Sequence, residues 1–337
     1  MTEAVYKLNL PPDEDFVRVS QGDMQGFVAS VARASGLVPD KADLLAELLA
    51  GSDLRGVFSH GTRQIARYAR MMRDGDLNVD PDVKVIQEGP TSVVMDGDGG
   101  LGYFPCHRGM EMAVARARAH GLGAVTTGNH HHIGSAGLYS RMALEADCIG
   151  LAASSVRYPM DPDDLVLRAA GASPLSVAVP AETQPPMVLD MGAHMLPHEP
   201  ELLERFPQVF FKSLGLGAVL QVLGGVLAGI HRPEMQPPRS PWVSDQGGFV
   251  AAVAIERFMP VAEFKAAMDG YVARARRMRP YPGVDRAELP GGLERRWERD
   301  NARDGIPLGR EHREELEGIA DEVGVDTPFS RYESTRF

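Results

Sequence analysis

Cysteine is nearly missing from this chain: its 337 residues hold only Cys106 and Cys148. Two thiols cannot make a disulfide framework. That excludes the small secreted scaffolds held by several bridges and points to a reducing compartment, the cytoplasm. Positive charge is also short, with 35 basic against 46 acidic residues and a formal charge of −11. A phosphate backbone demands a basic surface, so no nucleic acid is expected as the main partner. The opening "MTEAVYKLNLPPDEDF" lacks a basic start followed by an apolar run, so no signal peptide is expected. One long uncharged run exists, Leu214–Ile230, "LGLGAVLQVLGGVLAGI". It is slightly short for a membrane span. Its glycines and Gln221 favour a buried helix, so no membrane is expected as a partner. Internal repeats and low-complexity tracts are absent.

What is present is ordinary globular material, 44% apolar and 24% charged. The length exceeds what one compact core usually holds, which predicts one large domain or two. Residues 1–19 read as an N-terminal extension. Residues 20–81 carry three helical stretches, "SQGDMQGFVASVARAS", "PDKADLLAELLAGSDLRG" and "TRQIARYARMMRDG". From residue 82 to 282 the pattern turns mixed. Strands are expected at "VKVIQEG", "TSVVMDGD", "GAVTTG", "IGLAAS", "PLSVAVP", "MVLDMG" and "GGFVAAVAIERF". Helices are expected at "CHRGMEMAVARARAHG", at Gly134–Ala146, at about 212–230 and at "VAEFKAAMDGYVARARRM". The tail, 283–337, ends in the helix "REHREELEGIADEVG". It is expected to pack with the N-terminal helices, since neither end alone buries much surface.

Gly97, Gly99 and Gly102 have the G-x-G-x-x-G spacing of a dinucleotide loop, between a strand and a helix. Asp96 and Asp98 flank the first glycine and would repel a pyrophosphate, and the next strand ends in "TTGNHHH" with no acid for a ribose. A tight loop using glycine's conformational freedom is the favoured reading. The run Asn129-His130-His131-His132 then poses a choice between acid/base, metal and structural roles. Adjacent side chains cannot all face one ligand, which disfavours a metal. A histidine at a strand end suits proton transfer near neutrality. His60, beside Ser59 and Gly61, lies between two expected helices, where Ser59 could equally be a helix cap. Arg63 and Arg67 stand four apart on the following helix, able to fork a carboxylate or simply to face water. His194 and His198 with Glu199 have helical metal spacing, but Pro197 intervenes and no metal is assigned.

Taken in order, "DLRGVFSHG", "VVMDGDGGLG", "TGNHHHIGSAGLYS", "VLDMG", "FKSLGLGAVLQVLGGVLAGI" and "YPGVDRAELPGG" resemble the type 2 malate/L-lactate dehydrogenase family. The resemblance implies an α/β fold that is not a Rossmann sheet: a helical domain from both chain ends plus a mixed-sheet α/β domain, in a homodimer. It implies NAD- or NADP-dependent hydride transfer to or from a small 2-oxo or 2-hydroxy acid or a cyclic imino acid, a small anionic metabolite in every case. His132 falls on the family's acid/base histidine. Ser59 and His60 fall on catalytic positions at the substrate side. Arg63, Gln64, Arg67 and Asn129 fall on or beside substrate-binding positions. Asp190, Met191, Gly192 and Lys212 fall on cofactor-contacting positions.

The sequence departs from that family in places. Gln64 stands where an arginine is usual, and "GASP" replaces "GTNP". Only residues 191–211 separate Asp190 from Lys212, a shorter segment than in relatives, and Phe210 and Phe211 replace glycines that help to hold the dinucleotide. Two further readings therefore accompany the reductase. One is a redox-inactive descendant using the same cleft for proton transfer, as a lyase, isomerase, cyclase or decarboxylase. The other is a non-enzymatic dimeric scaffold.

Overall fold

The structure, a computed structural model, describes residues 15–157, 160–193, 200–235, 241–280 and 286–337. The chain divides into two compact units, one formed by the chain up to Asp80 together with Asp269–Phe337, the other by Pro81–Met268. The N-terminal part of the first holds β1 (Phe16–Val19), α1 (Gln21–Ala34), α2 (Pro39–Leu54) and α3 (Gln64–Asp74). The second runs through β2 (Lys84–Glu88), β3 (Ser92–Asp96), α4 (Tyr103–His120), β4 (Leu122–His130), the single turn α5 (Gly137–Ser140) and β5 (Cys148–Val156). It continues with β6 (Pro174–Val179), β7 (Met187–Gly192), α6 (Pro200–Arg205), α7 (Pro207–Gln221) and β8 (Gln246–Ala254). The division falls within α8 (Val261–Ala275), after which α9 (Gly292–Asp304), β9 (Ile306–Gly309) and α10 (Arg310–Val323) complete the first unit.

Local chemistry accounts for the helical unit. The Ser20 hydroxyl accepts the Asp23 N–H at 3.2 Å and starts α1. Pro39 opens α2, where its missing N–H costs nothing. Leu316, Ile319 and Ala320 share one face of α10 and are fully buried, as are Leu45, Leu49, Ile65 and Tyr68. The two chain ends are joined by an antiparallel ladder running from Phe16 opposite Gly309 to Val19 opposite Ile306. Phe337 adds to it, exchanging backbone hydrogen bonds with Phe16 in both directions. β1 lies inside the segment expected as an extension, and β9 in the expected C-terminal tail. Four-residue strands paired across nearly the whole chain leave no local periodicity to read.

The α/β unit is built on a seven-stranded sheet in the order β2-β3-β4-β8-β5-β6-β7. Only β3 and β4 are parallel, connected through α4; every other neighbouring pair is antiparallel. The sheet is therefore mixed, unlike the parallel sheet of a doubly wound dinucleotide fold. Met95, Met110, Ala113, Val125, Val250 and Ala252 are buried between α4 and the sheet.

Two helices differ from expectation. The stretch Gly134–Ala146 forms only α5 and a 3-10 segment, Arg141–Ala146, because Gly134 takes a positive φ and starts the segment as loop. The apolar helix begins earlier than expected, at Pro207, and passes into a π turn at Val222–Val226. Its inner side is made of glycine: a side chain at Gly217 would meet Ala170, and one at Gly224 the Ser154 backbone. Its outer side is not buried, with Val209, Phe211, Leu216, Val219, Val222 and Val226 all exposed. By length and composition Pro207–Val226 is apolar enough to cross a membrane, and 39% of its most apolar 18 residues is buried.

Candidate active site

In the α/β unit the histidine run lies where β4 leaves the sheet. Between Thr127, opposite Gly248, and His130, opposite Gln246, β4 gains one residue on its partner β8. Such a bulge re-aims the side chains beyond it. Asn129 sits in the bulge with φ 53. Its amide donates to Asp96 Oδ1 at 2.8 Å, and its Oδ1 accepts from the Ser244 hydroxyl at 2.5 Å.

The glycine loop backs this segment. Gly97 N–H donates to Gly128 O, Gly99 N–H to Asn129 O and Gly102 N–H to His132 O, while His131 N–H returns a bond to Gly100 O. A Cβ on Gly97 would stand 2.7 Å from His130 Cβ, and one on Gly102 2.6 Å from both His130 Nδ1 and His131 O. The space beside these glycines is filled by protein, which leaves no phosphate cradle there. Their spacing serves the close approach of two backbone segments.

His130 is fully buried and His131 nearly so, whereas His132 is half-buried. The His131 carbonyl can only accept, so His130 Nδ1 donates to it at 2.8 Å. His130 Nε2 must then accept from the Thr127 hydroxyl at 2.9 Å, leaving Thr127 Oγ1 to receive the Cys106 S–H at 3.5 Å. Burial pushes His130 down to about 4 and the Cys106 thiol up to about 12. Both stay neutral at pH 7, and the chain Cys106–Thr127–His130 props the turn that carries His132.

The cofactor-position residues lie in the same unit. A Cβ on Gly137 would stand 2.9 Å from Asp190 Cγ, so the segment after His132 runs directly past that carboxylate. Ser140 bonds Ser176 at 2.7 Å, and Ser176 donates to Leu189 O. Met191 and Gly192 are exposed, and nothing lies within 4 Å of where a Gly192 Cβ would be. The Ser213 hydroxyl donates to Ala193 O at 2.6 Å, tying the helix to the segment after β7, and Lys212, the residue before it, is exposed. Phe210 is buried and Phe211 exposed on the same helix.

In the helical unit, Ser59 and His60 form a 3-10 turn between α2 and α3. Ser59 Oγ lies 2.9 Å from His60 Nδ1, and burial holds the His60 imidazole below its ordinary pKa. Gln64 folds back, its Nε2 donating to Ser59 O at 2.6 Å. Arg63 turns to α10, where its fork grips Glu315 at 2.6 and 2.7 Å, with Glu311 at 3.3 Å. Arg67 is exposed one turn further along α3. The turn thus gathers Ser59, His60 and Gln64 and commits Arg63 to an ion pair. His194, His198 and Glu199 lie outside the described residues. Sequence reasoning missed Thr127 and His130 as the prop, and it missed Asp53 beneath Ser59 and His60. Asp53, the lone acid in "LLAGSDLRG" at the end of an apolar helix, was the signal in the sequence.

The chain thus combines a mixed-sheet α/β unit that carries a propped histidine with a helical unit built from both chain ends, an α/β protein without a Rossmann sheet. The malate/L-lactate dehydrogenase family model matches residues 19–199 and 202–317, and the chain belongs to that family. It is 28% identical to the malate dehydrogenase of Pyrococcus horikoshii, over 93% of this chain and 98% of that protein. It is 25% identical to the L-sulfolactate dehydrogenase of Methanocaldococcus jannaschii, over 89% of this chain and 95% of that protein. The solved structure of the Pyrococcus horikoshii enzyme superimposes with a TM-score of 0.82, covering 93% of this chain and 97% of that one.

Proposed function

We propose that this chain is a nicotinamide-dependent dehydrogenase that interconverts a small 2-hydroxy acid and its 2-oxo acid, with His132 as the acid/base. The relatives named above act on malate and sulfolactate, both small anionic hydroxy acids. The observation that carries the residue assignment is the double backing of His132. Its carbonyl is held by Gly102, and its turn is propped by a neutral His130. A half-buried imidazole carried on a fixed backbone is what proton transfer at a substrate oxygen requires.

In the oxidation direction neutral His132 removes the hydroxyl proton; in reduction its imidazolium returns a proton to the carbonyl oxygen. Asp190, Met191, Gly192 and Lys212 are assigned to the dinucleotide, supported by the exposed Met191–Gly192 segment with open space at Gly192 and by the exposure of Lys212. The nicotinamide, when bound, supplies or receives the hydride. In the helical unit Ser59 and His60 are assigned to substrate handling, with Gln64 and Arg67 as the polar groups for a carboxylate.

The experiment is a fluorescence titration of the purified chain with NADH and NADPH, followed by turnover assays on L-malate, L-lactate and sulfolactate. Saturable binding and turnover of at least one acid are expected, with the tighter dinucleotide naming the cofactor. No binding of either at millimolar concentration would overturn the assignment.

We further propose that the exposed face of α7 is covered by a second copy. A row of large apolar side chains opposite an anchored glycine face is more than an isolated monomer ordinarily shows to water. Sedimentation at the mass of two chains is expected, and sedimentation at the mass of one contradicts it.

A further inference from the structure

We propose that Asp53 is a positioning residue for Ser59 and His60: gripping Thr62, and braced through it by His312, it closes residues 53–62 into a loop whose tip carries both side chains. This rests on the reading that Ser59 and His60 handle substrate.

The geometry is a ring of hydrogen bonds with the catalytic-side turn at its rim. Asp53 closes α2 and is fully buried. Its two carboxylate oxygens accept the Thr62 N–H at 3.3 and 3.2 Å, and Oδ2 also accepts the Thr62 hydroxyl at 2.5 Å. Having donated, Thr62 Oγ1 has its lone pairs left, and it accepts His312 Nε2–H at 3.2 Å from α10. The order is therefore His312 to Thr62 to Asp53. The neighbouring residue is held to the same helix, since Arg63 is forked on Glu315. The α2 side of the ring is secured by Gly56 N–H on Asp53 O and Val57 N–H on Ser52 O.

Gly61 shows how tightly the carboxylate is seated. A Cβ at that position would overlap Asp53 Oδ1, so the residue after His60 can only be glycine while Asp53 holds its place. Ser59 and His60 are then the outward part of a loop fixed at both feet, with Gln64 Nε2 pinning the Ser59 carbonyl from α3. The charged and titratable groups facing this ring are Arg63, Glu311, His312 and Glu315. Burial raises the Asp53 carboxyl to about 7 and lowers His312 to about 4, as two groups sealed from water would behave.

The test uses the full chain with Thr62→Val, which keeps shape and deletes the relay hydroxyl, and Thr62→Ser, which restores it. His60 is titrated by NMR in each, and kcat and KM are measured with L-malate. His60 is expected to titrate at one depressed value in wild type and Thr62→Ser, and to move toward the ordinary histidine value in Thr62→Val as water reaches the freed turn. kcat is expected to fall roughly tenfold or more with KM little changed, as misplacement of a reacting group would cause. Should Thr62→Val fail to fold, His312→Leu removes the brace instead and is expected to shift His60 in the same direction. An unshifted His60 in a folded relay variant overturns the proposal. If wild type does not turn over L-malate, the dehydrogenase reading with that substrate is what fails, and the titration alone still decides the role of Asp53.

Discussion

The two histidine-bearing turns, one in each unit, are held by different chemistry. The His132 turn is fixed by backbone: four hydrogen bonds with the glycine loop and a buried prop, His130, which stays neutral near pH 7. The His60 turn is fixed by side chains: a carboxylate, a hydroxyl and an imidazole, of which the carboxylate titrates at about 7. A backbone ladder depends on the small size of particular glycines. A side-chain ring depends on protonation and on the identity of each member. Proton transfer is assigned to the turn whose support does not change charge near neutrality.

The comparison is broken most severely by adding one methyl group to either turn. Gly61→Ala drives a Cβ into the buried Asp53 carboxylate, and a loss of about 4 kcal/mol is expected. Gly102→Ala forces its Cβ against His130 and the His131 carbonyl, with an expected loss of about 3 kcal/mol. Urea unfolding of the two variants checks both values. If Gly102→Ala is as stable as wild type, the glycine loop is not the backing of the histidine run.

Acid sharpens the contrast. His130 has a folded pKa of about 4 against 6.5, so its unfolded form binds more protons between those values. The stability it contributes is present above pH 6.5 and is lost as pH falls toward 4, on the order of 3 kcal/mol. His312 behaves alike, with the same sign. Asp53 has the opposite sign: its folded pKa is raised from 3.8 to about 7, so its folded form binds more protons and it favours folding as pH falls through that window. The titrations of Asp53 and His312 therefore oppose one another within the ring that supports the His60 turn. Hydrogen exchange between pH 7 and 4.5 is expected to show protection lost first at residues 127–132 and later at 57–64. The reverse order would contradict the assignment of the two supports.

How far the sequence foretold this arrangement follows from the range of the forces involved. The strands β3 to β8 and the helices α1 to α4 were legible from their local apolar patterns, and β2 from its β-branched residues, although only Val85 of that strand is partly buried. β1 and β9 were not, because their signal lies in pairing between distant residues. α9 was hidden by its polarity, since only Trp297 and Asn301 of "GLERRWERDNARD" are buried. The glycine spacing at 97, 99 and 102 was visible, but its purpose, making room for His130, needed the fold. Ser59, His60 and His132 were marked by residue type and by resemblance. Their supports, Asp53, Thr62, His312, Thr127 and His130, are ordinary residues whose roles exist only through contacts across the fold.

The most direct measurement is the turnover of His132→Gln, in the oxidation of whichever hydroxy acid the wild type accepts, with the dinucleotide dissociation constant measured on the same sample. Loss of the acid/base is expected to lower kcat by roughly a hundredfold to ten-thousandfold while dinucleotide binding is retained. A variant that turns over at the wild-type rate would contradict the assignment of proton transfer to position 132.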